Sequence, residues 1–386
     1  MTARISRREA LTSGAAAGAL LAFGVPEWLL PALAQGETLV PFTDIPESFT
    51  TSPTAEVRIL DIRRIDGPFT PRDQFFTVQH YGQPEVDPTT YRLKVTGLVD
   101  APLELGVEEL RRLGTTELVA GFECSGNGPA RVQGLASNGR WTGLPLRTLL
   151  ERAGVQAAAE EVVFFGADRG TEDVEFRGRT YTVEQQFGRS LSVANALRPE
   201  PLIAHSLNGE PLSRHQGFPI RLIVPGWYGV ANVKWLSDIH VQQDRYLGKY
   251  QARWYRTLRG EEIAGEVKWT ETEVSRQQLK SVIARVTRAA GHHVVTGFVL
   301  NDGTALRSVE VKVDDGPWQA ATLDDGNTRY GWKLFSWRWD GATAGEHTIV
   351  SRVTDARGHV QPTAADLETK LTTLENNAQF PRRVQI

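Results

Sequence analysis

A single cysteine occurs in 386 residues, Cys124, in the stretch GFECSGNGPA (121–130). As a thiolate, cysteine is both a nucleophile and a soft metal ligand. Gly126, Asn127, Gly128 and Pro129 beside it permit unusual backbone dihedrals and let a ligand approach the main chain closely. A cysteine that merely fills a core needs no such setting, although free Cys is among the most buried residue types. One cysteine excludes an intrachain disulfide and any site built on two or more protein thiolates, including zinc ribbons and iron–sulfur clusters. The chain also lacks C-x-x-C-H, the attachment site of a c-type haem, so no haem is expected in it. A metal on Cys124 must take most of its ligands from elsewhere.

Other schemes fail or stay open. The sequence has no G-x-S-x-G, Walker-A, H-E-x-x-H or EF-hand pattern. His292 and His293 would point to opposite faces of a strand. A Cys–His hydrolase would use Cys124 as nucleophile with His80, His205, His215 or His240 as base, and the spacing does not choose among them. Formal net charge is −3, so no basic field exists to attract nucleic acid, and none is expected as a partner.

The elements that must position these residues fall into four stretches. Residues 1–36 carry Arg4, Arg7 and Arg8, an apolar run from Ala15 to Val25, and small residues Ala32 and Ala34 ahead of Gln35. That is the plan of a secretory signal peptide, and Ser6-Arg7-Arg8 with Leu11 resembles a twin-arginine export signal. An N-terminal membrane anchor is the alternative, for which the run is short. The expected location is the periplasm or another extracytoplasmic space. Residues 37–84 read as an extended arm that wraps rather than packs alone. Residues 85–260 mix short strands (YRLKVTGLV, EVVFFGAD, FPIRLIVPG, VKWLSDIHV) with helices (GVEELRRLG, LRTLLERAGV), which predicts an α+β domain. Residues 275–386 alternate like strands closed by Asp-Gly turns and predict an immunoglobulin-like β-sandwich.

In order and spacing, FECSGN, GRWTGLPLRTLL, FFGAD, PLSRHQGFPIRLIVPGWYGVANVKWL and YQARWY resemble the sulfite oxidase family of molybdopterin enzymes, from about residue 70 to the C-terminus. The resemblance implies a molybdopterin-binding domain followed by the sandwich as a dimerisation domain, and hence a homodimer. It implies that Cys124 ligates molybdenum. A pterin dithiolene supplies two further sulfurs, which explains why one protein thiolate suffices. It places Gln79, His80, Asp168, Gln216, Arg221, Asn232, Val233 and Lys234 in cofactor-binding positions, Arg221 and Lys234 being the natural partners of the pterin's phosphate. Gln216 stands where many members carry His, and its amide offers both donor and acceptor. Tyr255 and Arg140 fall at catalytic positions.

Two departures concern the substrate. Val78 stands where sulfite oxidases carry an arginine, and Trp254 replaces a family acid. The expected reaction is oxidation of sulfite to sulfate, with electrons passed to a separate c-type cytochrome or membrane haem protein. The alternatives are reduction of an S- or N-oxide, such as methionine sulfoxide, and a cofactor-free binding or scaffold protein on the same fold.

Overall fold

The computed structural model describes residues 36–386 except Ala290, Thr369 and Thr373. The export signal with Arg7 and Arg8 therefore lies outside the described residues. Among those residues, no helix is long and apolar enough to cross a membrane.

Two sheets carry the middle of the chain. In the first, strand Thr116–Glu123 pairs antiparallel with Ala136–Pro145, which in turn pairs with Leu202–Leu207; Arg221–Ile223 joins the far side of Leu202–Leu207. In the second, Leu236–Gln242 is central, running parallel to Leu93–Gly97 and antiparallel to Glu161–Phe176. Ile239 faces Val95 on one side and Phe164 on the other, and all three are buried. Helix Leu146–Ala153 supplies Leu146, Leu149, Leu150 and Ala153, the i, i+3, i+4, i+7 stripe of an amphipathic helix, to the same core. Gly154 ends it at φ +70°, a left-handed position that costs glycine little. One antiparallel and one mixed sheet with a few short helices make this unit α+β, as the sequence predicts.

The C-terminal strands form the expected β-sandwich. One sheet is ordered Thr38–Val40, Lys280–Ala289, His292–Leu300, Lys333–Trp339, Thr322–Leu323; the other is Gln319–Ala320, Leu306–Val313, Glu346–Asp355, Arg382–Gln385. Val286, Val295, Val299, Val309, Val311, Phe335, Ile349 and Val353 fill the core between them.

Three features differ from the sequence pattern. Strand Glu161–Phe176 runs well beyond FFGAD and returns through Arg179–Ser192 as a long ribbon, with Arg177 and Gly178 at φ +51° and +72° in its turn. Its outer half is largely exposed, Phe176 and Tyr181 included, so no buried stripe marks it. A second hairpin, Arg256–Ile263 with Glu266–Glu273, stands between the two units in the chain. The arm starts inside the sandwich, because Thr38–Val40 pairs with Lys280–Ala289; its Val57–Arg58 and Thr77–Val78 pair with each other, and it reaches the first unit where Phe76 N–H donates to Ser137 Oγ at 3.0 Å.

Candidate functional site

Cys124 follows directly from strand Thr116–Glu123, whose last residue pairs with Ala136. The loop after it is fixed by its own backbone. Cys124 N–H donates to Leu135 O at 2.9 Å, and Asn127 N–H donates to Cys124 O at 2.9 Å. The Asn127 side chain accepts from Leu135 N–H at 3.0 Å and donates to the Glu123 carboxylate at 2.9 Å. Bare Gly126 leaves room beside the sulfur: a Cβ there would stand 3.9 Å from Cys124 Sγ. Burial pushes the thiol up to about 11, with Glu123 adding to the rise and the charges of Lys280 and Arg131 opposing it. An unligated thiol at this position is protonated at neutral pH. It is therefore a poor nucleophile unless a cation or metal offsets the burial.

Cys124 lines a narrow, partly enclosed cleft. Gln79, His80, Asp168, Arg221, Asn232, Lys234 and Tyr255 line it with Cys124. Two of these side chains are delivered by irregular backbone. Asp168 rides on a β-bulge, since Phe165 pairs with Gly188 but Arg169 pairs with Gln186. Gly166 is favoured there, because a Cβ would stand 2.7 Å from the main-chain oxygen of Lys234 and crowd the Asp168 carboxylate. Lys234 precedes Trp235, which holds φ +48°, and Gly217 lets the chain pass beneath, a Cβ there lying 2.8 Å from Lys234 Cβ.

The polar atoms of the cleft are incompletely satisfied. Arg221 is buried, with its two terminal nitrogens on the carbonyls of Gln216 and Asn232 at 3.0 and 2.9 Å and its guanidinium against Phe122 and Trp141. Burial lowers its pKa to about 9. Lys234 Nζ donates to Val78 O and Gln79 Oε1, each at 3.0 Å. Burial, then repulsion from Arg221, pushes Lys234 down, while burial pushes Asp168 up against the pull of Lys234. Arg221 Nε, Asp168 Oδ1 and Thr77 Oγ1 are buried without a hydrogen-bond partner among the described residues. A fixed array of donors around a buried, uncompensated cation is the setting for a bound anion.

One wall of the cleft is aromatic. His80 stacks on Tyr250 at 4.5 Å and on Phe187 at 5.8 Å, and its Nε2 lies 2.9 Å from the Tyr255 hydroxyl. Burial and the charges of Lys234 and Lys249 hold His80 down to about 4, so the imidazole is neutral at physiological pH. Burial raises Tyr255 well above its ordinary value, which keeps the phenol protonated. Trp254 is exposed at the rim, where its ring takes the Lys249 ammonium at 4.0 Å.

The structure brings Cys124, Gln79, His80, Asp168, Arg221, Asn232, Lys234 and Tyr255 to one cleft, with Val78 beside them. It places three other candidates elsewhere. Arg140 is exposed on its strand, 4.0 Å from Glu117 and over the Phe69 ring. Gln216 is buried, its amide used by Ser213 N–H at 3.0 Å and Arg72 O at 2.6 Å. Val233 lies in the apolar core, its carbonyl accepting from Leu222 N–H. His80 is the candidate base that shares the cleft with Cys124, and its Nε2 is committed to Tyr255. His205 and His240 lie on other faces, His240 against Thr96 Oγ1 at 3.0 Å. Thr77, Phe187 and Trp235 also line the cleft without having been singled out; Trp235 stands in NVKWL, while Thr77 lies on the arm and Phe187 on the long ribbon.

No group of three or more His, Cys, Asp or Glu able to hold a metal occurs among the described residues. One sulfur facing a cleft of anion donors therefore suits a metal that arrives with its own sulfur ligands on an anionic carrier. The family model for the oxidoreductase molybdopterin binding domain matches residues 80–250. Mitochondrial sulfite oxidase of Rattus norvegicus is 29% identical over 352 residues, covering 82% of this chain and 61% of that protein. The Homo sapiens protein is 32% identical over 324 residues, covering 76% and 57%. The chain thus spans about three fifths of the length of these relatives. Among solved structures, the sulfane dehydrogenase SoxCD from Paracoccus pantotrophus aligns with a TM-score of 0.72 at 26% identity, over 88% of this chain and 90% of that one.

Proposed function

Because the chain belongs to the sulfite oxidase family of molybdopterin-dependent oxidoreductases, we propose that it catalyses two-electron oxygen-atom transfer, taking sulfite and water to sulfate, two protons and two electrons. The observation that carries this reading is the meeting of Cys124 Sγ with the unsatisfied Arg221 Nε, Asp168 Oδ1 and Thr77 Oγ1 in one cleft. The molybdenum group, when bound, supplies the redox couple and the oxygen-transfer chemistry. Cys124 would give it one thiolate. Arg221 and Lys234 would hold its phosphate, and Asp168 would accept from the pterin's N–H groups.

The residues around the thiol have distinct tasks. Tyr255, its phenol protonated, places its hydroxyl in the cleft, where with His80 Nε2–H donating to it the O–H is free to orient an oxygen of the substrate. Neutral His80 fixes that hydroxyl, and stacking on Tyr250 and Phe187 fixes His80. Phe76, Phe122, Phe187 and Val230 restrict water.

A second reading is supported by Val78. Among the described residues, the cations lining the cleft are Arg221, turned onto two main-chain carbonyls, and Lys234, turned onto Val78 O and Gln79 Oε1. Val78 and four other apolar side chains beside the thiol suit a neutral S-oxide, the substrate of a reductase. Sulfite oxidation and methionine sulfoxide reduction, assayed side by side in wild type and Val78→Arg, separate the two. On the oxidase reading, Val78→Arg lowers KM for sulfite; on the reductase reading, it abolishes sulfoxide turnover. Export by the twin-arginine route, an external haem protein as acceptor and a homodimer through the sandwich complete the proposal. A stoichiometric haem absorption band in the purified chain would contradict its acceptor.

A further inference from the structure

The Cys124 loop is also held by residues that come from beyond the first unit. Glu123, next to Cys124, is buried at 2% side-chain exposure, and Lys280, the first residue of a sandwich strand, is buried at 1%. Lys280 Nζ lies 2.9 Å from Glu123 Oε2 and 3.5 Å from Asn127 O, so it reaches both ends of the loop. The same carboxylate oxygen accepts from Asn127 Nδ2 at 2.9 Å. Two further ties come from the same region of the chain: Gln277 Nε2 donates to Gly121 O at 3.1 Å, and Glu375 N–H donates to Ser125 O at 2.6 Å. Glu375 is itself held by Arg259 at 2.9 Å and by Lys370.

A buried ion pair is a poor source of net stability, since the desolvation of both charges offsets their attraction, and an apolar pair of the same size often does as well. It does fix geometry, because either charge left alone is strongly unfavourable. We propose that Lys280 is a positioning residue for Cys124: through its buried pair with Glu123 the β-sandwich sets the metal-binding loop, so that cofactor retention depends on how the two units dock. Groups that orient a ligand from behind are part of a metal site even when they never touch the metal. This rests on Cys124 as the metal ligand only in its molybdenum readout.

The test uses the full chain and the neutral pair Lys280→Met/Glu123→Gln. The double substitution keeps volume and leaves an amide oxygen to accept from Asn127, but cuts the strap to the sandwich. Lys280→Arg, which keeps the positive charge, is the conservative variant. Three quantities are read: the melting temperature, the rate at which iodoacetamide alkylates Cys124 in metal-free protein, and molybdenum per chain after dialysis. The neutral pair should melt close to wild type, alkylate about tenfold faster because the loop opens more often, and retain about tenfold less metal. Lys280→Arg should keep both readouts near wild type. A neutral pair that melts, alkylates and holds metal like wild type overturns the inference. If wild type holds no molybdenum, the functional reading fails, while the alkylation rates still decide the role of Lys280. A neutral pair that loses melting temperature in step with both other readouts reduces Lys280 to a stability element and also overturns it.

Discussion

Replacing Arg221 with Met separates a structural role from an anion-binding one. In metal-free protein the substitution removes two charge-assisted bonds to the carbonyls of Gln216 and Asn232, worth about 1.5–3 kcal/mol each. It also removes the cost of burying a cation that makes no salt bridge, a penalty of several kcal/mol that already shows as the lowered pKa of about 9. These terms oppose each other, so metal-free Arg221→Met should change in stability by no more than about 2 kcal/mol, a few degrees in melting temperature. The loaded protein should behave differently. The free Nε, once on a phosphate oxygen, adds one charge-assisted bond of about 1.5–3 kcal/mol, so retention should weaken by roughly one to two orders of magnitude. Molybdenum and phosphorus per chain, measured after extended dialysis with melting curves of both forms, read the two effects separately. Wild-type retention by Arg221→Met would refute the phosphate role, and a metal-free loss above about 4 kcal/mol would make Arg221 a structural residue.

His80 gives a pH signature. Its folded-state pKa of about 4 lies below the ordinary 6.5, so the unfolded chain binds the extra proton first, and stability falls as pH drops from about 6.5 to 4. Wild type should lose about 2–3 kcal/mol more than His80→Asn over that window in urea titrations; parallel curves would contradict the buried, neutral imidazole. Tyr255→Phe should keep molybdenum content and lower kcat/KM roughly 10²-fold or more, and an unchanged kcat/KM would remove the hydroxyl from the mechanism. Changing both Arg7 and Arg8 to Lys should leave precursor in the cytoplasm, and efficient appearance of mature chain outside would reject the twin-arginine route.

What could be read from the sequence follows from how local each feature is. Arg221 and Lys234 are legible because each puts a cation inside an apolar run, PIRLIVP or NVKWL, and Ile220, Leu222, Ile223, Val233, Trp235 and Leu236 of those runs are buried. The helix Leu146–Ala153 and the sandwich strands carried their own periodicity and turn residues. Other features had no local signal. The outer half of the ribbon Glu161–Ser192 is solvated on both faces. The pairing of Thr38–Val40 with the sandwich joins three residues to a strand far along the chain. Glu123 and Lys280 stand 157 residues apart, and only tertiary packing turns them into a buried pair. Arg140 illustrates the converse: GRWTG matches a motif, yet strand alternation buries Trp141 and turns Arg140 to solvent.

The central claim is that Cys124 is the one protein ligand of a molybdenum held by a pterin. X-ray absorption at the molybdenum edge, on wild type and Cys124→Ser purified identically, addresses it without assuming a substrate. The account predicts one molybdenum per wild-type chain with three sulfur neighbours. In Cys124→Ser it predicts two sulfurs and an added oxygen, with the metal still retained through Arg221 and Lys234. An identical sulfur shell in Cys124→Ser, or wild-type protein free of molybdenum, would contradict it.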